Sequence, residues 1–317
     1  MKEKGCSVTT SYKAGIPAGT LVTGKWRGSR YLIERRLGQG ANGVVYLVQQ
    51  AGTRNLYALK MGYDTFDLQS EINVLKALQR QGKPNAAEER DLSYLVEVDD
   101  FSYADKEIPF YVMRYVKGEP LSKFLARRGS QWLDVAGLNL LGQLAILHKG
   151  GWVFGDLKPD NVLVSTYGDV ELIDYGGVSQ HGRSVKQFTE WYDRGFWNAG
   201  GRTADAAYDW FSFAVVCIHM MAESKLKAAA RQLPQTRSTA DLIQIIEQEP
   251  RLKSYSGWLK KAISGSFKNT EEAYDTWKRM ISRTPARKSV RRTPGWLKGA
   301  FAISLFLLVC AIYLTLR

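Results

Sequence analysis

Two short segments near the middle of the chain carry residues suited to moving a phosphoryl group. Residues 154–161 read Phe-Gly-Asp-Leu-Lys-Pro-Asp-Asn, and residues 174–176 read Asp-Tyr-Gly. Such a reaction needs a proton acceptor for the substrate hydroxyl, an ammonium for the moving phosphate and oxygen ligands for Mg²⁺. Four residues supply these groups in that order, namely Asp156, Lys158, Asn161 and Asp174. The two segments therefore predict a site that works by positioning ATP and spreading negative charge.

A glycine-rich segment lies upstream, where the phosphates of the nucleotide must be held. Residues 37–46 read Leu-Gly-Gln-Gly-Ala-Asn-Gly-Val-Val-Tyr, which predicts a strand, a tight turn and a second strand. Gly38, Gly40 and Gly43 would let backbone N–H groups approach the phosphates closely. Taken alone, the pattern is equally typical of a plain hairpin, so its meaning depends on the residues around it.

Lys60 and Glu71 complete the set of charged residues. Lys60 ends the β-patterned run 56–60, from which it could reach the α- and β-phosphates. Glu71 opens an apolar series at helical spacing, made of Ile72, Val74, Leu75 and Leu78. We expect the carboxylate to point back toward Lys60 and form an ion pair.

This ordered series resembles the eukaryotic-type (Hanks-type) Ser/Thr protein kinases over about residues 30–281. A narrower resemblance, to the YabT-type kinases of spore-forming Bacillus relatives, depends on Gly-Lys-Trp at 24–26, the segment from 154, Tyr-Asp-Arg-Gly-Phe-Trp at 192–197 and an apolar C-terminal tail. The resemblance implies an α+β, two-lobed fold with an antiparallel sheet and one helix in the N-lobe and a mainly helical C-lobe. It also implies ATP with Mg²⁺ or Mn²⁺, protein substrates, autophosphorylation and a role in sporulation.

The resemblance assigns further residues to the nucleotide pocket. Those expected at ATP are Gly38, Gly40, Gly43, Val45, Ala58, Lys60, Met113, Tyr115 and Leu163. Among them, Met113 would be the gatekeeper, in a strand that runs into the hinge. Asp209 resembles the acid near the start of a buried helix that hydrogen-bonds the backbone of the catalytic loop.

The chain departs from the family pattern just before the catalytic aspartate. Gly155 stands where most relatives carry an arginine that pairs with a phosphorylated activation loop, so we expect activity to be independent of such a pair. Phe154 replaces a histidine and could support Tyr175, whose hydroxyl needs a partner. The candidate hydroxyls for autophosphorylation in the loop are Ser179, Ser184 and Thr189.

A second departure follows the activation loop, where residues 195–201 replace the expected Ala-Pro-Glu. This change puts the platform for a protein substrate in question, because kinases of antibiotics and sugars share the two-lobed fold. A small-molecule kinase therefore remains as an alternative function. A membrane-tethered pseudokinase or nucleic-acid-binding scaffold is the third.

The domain organisation follows from composition and the resemblance. Residues 1–29 are predicted to be an N-terminal extension without a secretory signal, and residues 30–282 a kinase domain with its N-lobe at 30–112, hinge at 113–118 and C-lobe at 119–282. A basic linker is predicted at 283–298 and a transmembrane helix at 299–316.

The predicted span of eighteen residues carries no charge. It would extend about 27 Å, close to the ~30 Å hydrocarbon core. The preceding basic residues predict a single-pass, C-terminally anchored protein of the cell membrane, with the kinase domain in the cytoplasm.

The chain is strongly basic, with a net charge of +13. Its linker contributes six positive charges, at Arg283, Arg287, Lys288, Arg291, Arg292 and Lys298. Such a patch is suited to anionic lipid, which we favour, or to DNA bound without sequence preference. A homodimer is a further candidate assembly.

The three cysteines, Cys6, Cys217 and Cys310, are too far apart for a zinc motif and favour a reducing compartment.

Overall fold

The computed structural model describes residues 15–40, 42–81, 94–186 and 189–283, with isolated positions at 299, 301, 303, 304, 311 and 314. The chain divides into two compact units, Met1–Ile281 and Ser282–Arg317. No helix among the described residues is long and apolar enough to cross a membrane. The predicted linker at 283–298 is described only at Arg283, and the predicted span at 299–316 only at the six isolated positions, so both predictions lie mostly outside the described residues.

The N-lobe is a six-stranded antiparallel sheet with one long helix, α1, at Thr65–Gln81. The strand order is β1-β2-β3-β4-β6-β5. The strands are β1 (Leu21–Thr23), β2 (Arg30–Gly40), β3 (Gly43–Gln50), β4 (Leu56–Gly62), β5 (Leu95–Tyr103) and β6 (Lys106–Arg114). This architecture confirms the predicted sheet and helix of the N-lobe.

Alternating side chains make one face of this sheet the core of the lobe. Val22, Ile33, Val48, Leu59 and Val112 are fully or almost fully buried in one apolar cluster. Burial of a large aliphatic side chain contributes about 1.5–3 kcal/mol, so this face fixes the register of the strands.

The sheet begins within the segment predicted as an N-terminal extension, because Val22 of β1 pairs with Tyr31 of β2. The Gly-Lys-Trp motif then fastens this segment to β5. The backbone N–H groups of Trp26 and Arg27 donate to the Asp99 carboxylate at 2.9 and 2.8 Å. At Gly24, a Cβ would lie 2.3 Å from that carboxylate, so only glycine fits there.

The helix that carries Glu71 begins earlier than the sequence suggested. Glu71 was expected to open the apolar run, but α1 starts at Thr65 and Asp64 caps it by accepting from the N–H groups of Phe66 and Asp67 at 2.7 and 3.1 Å. Glu71 is therefore in the second turn, on the buried side of the helix.

The C-lobe is mainly helical, as predicted. Its helices are α2 (Leu121–Arg128), α3 (Leu133–Lys149), α4 (Ala206–Ala230), α5 (Thr239–Gln248), α6 (Ser256–Ile263) and α7 (Thr270–Arg283). Short strands lie between α3 and α4 or next to the hinge: β7 (Glu119–Pro120), β8 (Trp152–Val153), β9 (Val162–Val164), β10 (Val170–Leu172) and β11 (Ser179–Gln180). Residues 154–161 connect β8 to β9, so two paired strands hold both ends of the predicted catalytic segment.

Candidate active site

Lys60 forms ion pairs with residues of both lobes. Its Nζ lies 2.6 Å from Oε2 of Glu71 on α1 and 2.9 Å from Oδ1 of Asp174, which follows β10. Lys60 and Glu71 are almost fully buried. The predicted ion pair is therefore present, and it extends to the predicted metal ligand.

Lys60 and Asp174 stabilise each other's charged forms, whereas burial keeps the pKa of Glu71 above its usual value despite the nearby Lys60. Burial alone would lower the pKa of Lys60, but the carboxylates of Glu71 and Asp174 outweigh it and raise that pKa above its usual value. Burial would likewise raise the pKa of Asp174, and Lys60 reverses the effect, so its pKa is lowered. Lysine is thus held as a cation and Asp174 as an anion, the forms that bind phosphate and metal.

Asp174 also has an unusual backbone, with φ +63° and ψ 77°. This left-handed conformation is sparsely populated by residues other than glycine, asparagine and aspartate. It turns the chain sharply where β10 ends and aims the carboxylate at Lys60. The strain coincides with the predicted metal ligand, where such backbone outliers tend to occur.

Asp156 is the centre of a second polar group. Its Oδ2 lies 2.5 Å from Nζ of Lys158, and its Oδ1 accepts a hydrogen bond of 2.9 Å from the hydroxyl of Thr189. Lys158 also donates to Thr189, at 3.3 Å. The carboxylate, the ammonium and the hydroxyl therefore hold each other in place at the predicted point of proton transfer.

Asn161 is fixed to the same group through its side-chain nitrogen. That nitrogen donates to the backbone carbonyl of Asp156 at 2.8 Å and to its Oδ2 at 3.3 Å. Because the nitrogen is used in this way, the amide oxygen is the atom that can coordinate a cation. The predicted metal ligands Asn161 and Asp174 thus lie on segments that flank the two strands β9 and β10.

A buried carboxylate supports the catalytic segment from below. Asp209, in the first turn of α4, is completely buried and accepts the backbone N–H groups of Phe154 and Gly155 at 2.8 and 2.9 Å. His148 Nε2 lies 2.9 Å from the same carboxylate, and its Nδ1 lies 2.6 Å from Oγ1 of Thr270 at the start of α7. Nothing in the local sequence indicates that His148 joins this network, since an isolated histidine is most often only packed.

The two departures at residues 154 and 155 have structural counterparts. Phe154 makes an edge-on contact with Tyr175 at 6.0 Å between ring centroids, and the hydroxyl of Tyr175 has that of Tyr94 as its hydrogen-bond partner. Gly155 has φ +81°, and a Cβ there would lie 2.8 Å from the carbonyl oxygen of Gly177. The backbone path itself thus requires glycine at this position.

The glycine segment divides into two kinds of position. At Gly43, a Cβ would lie 2.1 Å from the carbonyl oxygen of Met61, so this glycine serves the packing of β3 against β4. At Gly38 and Gly40, a Cβ would meet no atom within 4 Å. These two positions leave open space beside the backbone, as a phosphate-binding loop requires.

The pairing of β3, β4 and β6 brings together residues predicted to line the nucleotide pocket. Val45 lies opposite Lys60 on neighbouring strands, and Ala58 lies opposite Met113. Leu163 packs beneath the hinge, where a Cβ on Gly118 would lie 3.3 Å from it. Tyr115, Val45, Met113 and Leu163 are only partly buried, which is typical of side chains that line a cleft.

Ion pairs between flanking residues hold the segment 195–201 that replaces Ala-Pro-Glu. Asp193 is buried and accepts from Arg202 Nε and Nη2 at 2.9 and 2.7 Å, from the Tyr208 hydroxyl at 2.9 Å and from the Gly195 N–H at 3.0 Å. The backbone N–H of Asp193 also donates to the carbonyl of Thr189, at 3.1 Å. Asp193 therefore fixes the position of Thr189, which contacts Asp156.

The neighbouring residues complete a hydrogen-bonded segment, residues 189–197, which we call the acceptor platform. Arg194 forms a bidentate pair with Asp205, at 2.8 Å for both contacts. The indole N–H of the fully buried Trp197 donates to the carbonyl of Trp191 at 2.8 Å. The Tyr-Asp-Arg-Gly-Phe-Trp motif, which the sequence offered only as a mark of resemblance, is thus the framework of this platform.

Comparisons with known proteins agree with this geometry. The protein kinase domain family matches residues 31–291. Serine/threonine-protein kinase YabT of Bacillus subtilis is 35% identical over 266 residues, which cover 83% of this chain and 75% of YabT. A probable serine/threonine-protein kinase of Clostridium perfringens is 28% identical over 212 residues, 63% of this chain and 30% of that protein.

A solved structure shares the fold. The kinase domain of Mycobacterium tuberculosis PknI is similar with a TM-score of 0.52 at 22% identity, over 84% of this chain and 99% of that domain. This likeness concerns the fold alone, whereas the sequence matches extend over the catalytic segments. The chain therefore belongs to the protein kinase family, as a bacterial Hanks-type serine/threonine protein kinase.

Proposed function

We propose that this kinase transfers the γ-phosphate of ATP to serine and threonine hydroxyls of proteins while anchored to the cell membrane by residues 299–316. The observation that carries the catalytic part is the geometry around Asp156, whose carboxylate is held by Lys158 and Thr189 at hydrogen-bond distance. A carboxylate placed in this way can take the proton of an incoming hydroxyl.

The residues present fit ATP with Mg²⁺ or Mn²⁺. Gly38 and Gly40 have open space beside the backbone, Lys60 is a buried cation between two carboxylates, and the donor oxygens at Asn161 and Asp174 suit a hard divalent ion. When bound, the nucleotide supplies the phosphoryl group and the metal neutralises its charge. Asp156 orients and deprotonates the acceptor hydroxyl, and Lys158 lies beside it to balance the developing charge.

The anchoring proposal depends on charge and hydrophobicity along the sequence. Residues 299–316 carry no charge and are preceded by the six basic residues of 283–298. A basic segment next to a span adds about 1 kcal/mol of attraction to anionic lipid per residue. We favour lipid as the regulator bound by this segment, with duplex DNA as the other candidate, and we keep homodimerisation and a role in sporulation as expectations of the resemblance.

A transfer assay on the full-length chain tests the catalytic part. The protein is incubated with Mg²⁺, γ-labelled ATP and a generic basic protein, beside the Asp156→Asn variant. We expect phosphoserine or phosphothreonine with the unmutated chain only. Label on a soluble metabolite and not on protein would favour a small-molecule kinase, and no transfer from either chain would favour a scaffold.

Vesicles and DNA test the regulatory part. Anionic vesicles, neutral vesicles and duplex DNA are added to the same assay at low and physiological salt. We expect anionic vesicles to change the rate, with an effect that weakens as salt rises. If duplex DNA alone changes the rate, and does so with the same salt dependence, the regulator is DNA and the lipid proposal is wrong.

A further inference from the structure

Arg237 is an almost buried arginine whose guanidinium has no anionic partner within the described part of the chain. The residue is 9% exposed, and its Nε is buried without a hydrogen bond there. Its backbone carbonyl accepts a hydrogen bond of 2.7 Å from the Asn198 side chain, so the residue is fixed in place. Burying a charge costs several kcal/mol, and buried charges are therefore ordinarily paired. A guanidinium in this setting is suited to an anion that comes from another molecule.

The guanidinium is packed against the acceptor platform. It lies over the ring of Phe196, 3.5 Å from the ring centroid, and Phe196 is itself partly exposed. The ring supports one face of the guanidinium through a cation–π contact. The N–H groups of a guanidinium lie in its own plane, in a geometry that matches the two oxygens of a carboxylate or phosphate.

Two carboxylates in and beside the platform are committed to other arginines. Asp193 is paired with Arg202, and Asp205 is paired with Arg194. Neither carboxylate forms an ion pair with Arg237. Within the described residues, no carboxylate forms an ion pair with Arg237, which lies against the platform that includes Thr189, the hydrogen-bond partner of Asp156.

We propose that Arg237 is an anion-binding subsite of the acceptor platform, which takes a carboxylate or phosphate group carried by the protein substrate. The proposal deepens the kinase function and rests on it, because the substrate must approach Asp156 along this platform. The shared chemistry is a planar or tetrahedral oxyanion that accepts two N–H groups. Either an acidic residue or an already phosphorylated residue of the acceptor protein supplies it.

Peptide pairs in the full-length kinase test the subsite. The two peptides of a pair share one acceptor serine and differ at a single position on its C-terminal side, where one has glutamate and the other glutamine. A third peptide has phosphoserine at that position. The KM for transfer is measured, and so is binding, by fluorescence anisotropy of labelled peptides with a non-hydrolysable ATP analogue. The variants are Arg237→Gln, Arg237→Lys and, as a control, Arg231→Gln, which changes an exposed arginine.

We expect glutamate at one position to lower the KM and the dissociation constant about tenfold relative to glutamine, the effect of one charge-assisted contact. Arg237→Gln should abolish this preference, Arg237→Lys should keep part of it, and Arg231→Gln should leave it unchanged. Thermal unfolding of each variant shows whether it is folded. Tighter binding of the phosphoserine peptide than of its glutamate counterpart would identify phosphate as the preferred anion, and equal binding would show that a carboxylate suffices.

Two results would overturn the subsite. One is a glutamate preference that survives in folded Arg237→Gln, and the other is the absence of any preference at every position in both measurements. Loss of transfer to all peptides and proteins would count against the kinase function instead. The anisotropy measurement still decides the subsite in that case, because it needs no turnover.

Discussion

The hydroxyl of Thr189 donates a hydrogen bond of 2.9 Å to the carboxylate of Asp156, across 33 residues of sequence. Lys158 donates to the same hydroxyl, so Thr189 joins the predicted general base to the lysine beside it. Thr189 belongs to the acceptor platform. The platform and the catalytic carboxylate are therefore positioned by one shared contact.

Replacement of Thr189 by valine keeps the volume of the side chain and removes this contact. We expect kcat to fall by about 10- to 100-fold, part of the ~10²–10⁴ that a positioned general base supplies. The KM for ATP should not change, because Thr189 contacts neither Lys60 nor Asp174 in the hydrogen bonds described above. Thr189→Ser, which keeps the hydroxyl, is the control and should retain most activity. Equal losses in both variants would show that the methyl group matters and not the hydrogen bond.

The ion pair of Asp193 with Arg202 should make the platform independent of phosphorylation. Phosphatase-treated enzyme should start transfer without a lag. Arg202→Ala should raise the KM for the protein substrate, and should destabilise the fold by about 1–3 kcal/mol because it removes two charged donors from a buried carboxylate. Arg183→Ala is the control, since that exposed side chain contacts no described carboxylate in an ion pair. A lag that only preincubation with ATP removes would contradict the prediction.

The sequence was sufficient to predict the two-lobed fold and the order of its charged residues, because local patterns set both. Lys60 lies in an apolar strand that continues to Gly62, two residues beyond the run predicted from sequence, and Glu71 lies on an amphipathic helix, so their meeting follows from strand and helix geometry. The helix start was missed because Asp64 caps α1 ahead of its apolar run. Local sequence patterns are therefore sufficient to predict those helices and strands that bury one continuous apolar face.

Contacts between distant segments were beyond such patterns. Thr189 was expected only as one of three candidate phosphorylation sites, and nothing local indicates that it contacts Asp156. Asp193 and Arg202 are ordinary surface charges by sequence, and only the path of the chain buries their pairing. The role of His148 likewise depends on α3, α4 and α7 meeting at one point.

Gly155 should tolerate no side chain. A residue with φ +81° costs about 1 kcal/mol, and the Cβ contact of 2.8 Å with the Gly177 carbonyl adds to it. We expect Gly155→Ala to lose about 1–3 kcal/mol of stability and most activity, since Asp156 follows directly. Gly182→Ala is a matched control, because φ is +82° there and a Cβ would meet no atom within 4 Å. Similar losses in stability for the two variants, measured by denaturant unfolding, would show that the close contact is unimportant.

Ser184 should be the principal site of autophosphorylation among the three candidate hydroxyls. It is exposed, whereas Ser179 is 1% exposed and Thr189 is bound to Asp156 and Lys158. Mass spectrometry after incubation with ATP should find phosphate on Ser184, and Ser184→Ala should remove it without loss of activity. Phosphate on Ser179 would mean that the loop opens before it reacts.

His219 should make stability fall in mild acid. Burial lowers its pKa below the usual value of about 6.5, although the carboxylates of Glu223 and Asp160 oppose the shift. Below pH 6.5 the unfolded chain therefore binds more protons at this residue than the folded chain does. Stability is then fully present above that pH and declines as the pH falls toward the lowered value.

Thermal unfolding at pH 7.5 and 5.5 measures this contribution. The neutral ring is part of a hydrogen bond of 2.6 Å between Nδ1 and the hydroxyl of Tyr192, in the acceptor platform, so its protonation should also loosen the platform. We expect His219→Gln to lose less stability between the two pH values than the unmutated chain loses. His181→Gln, at an exposed position, should behave like the unmutated chain. If His219→Gln lost as much stability as the unmutated chain, the acid sensitivity would arise from other groups, and His219 would be a packing residue only.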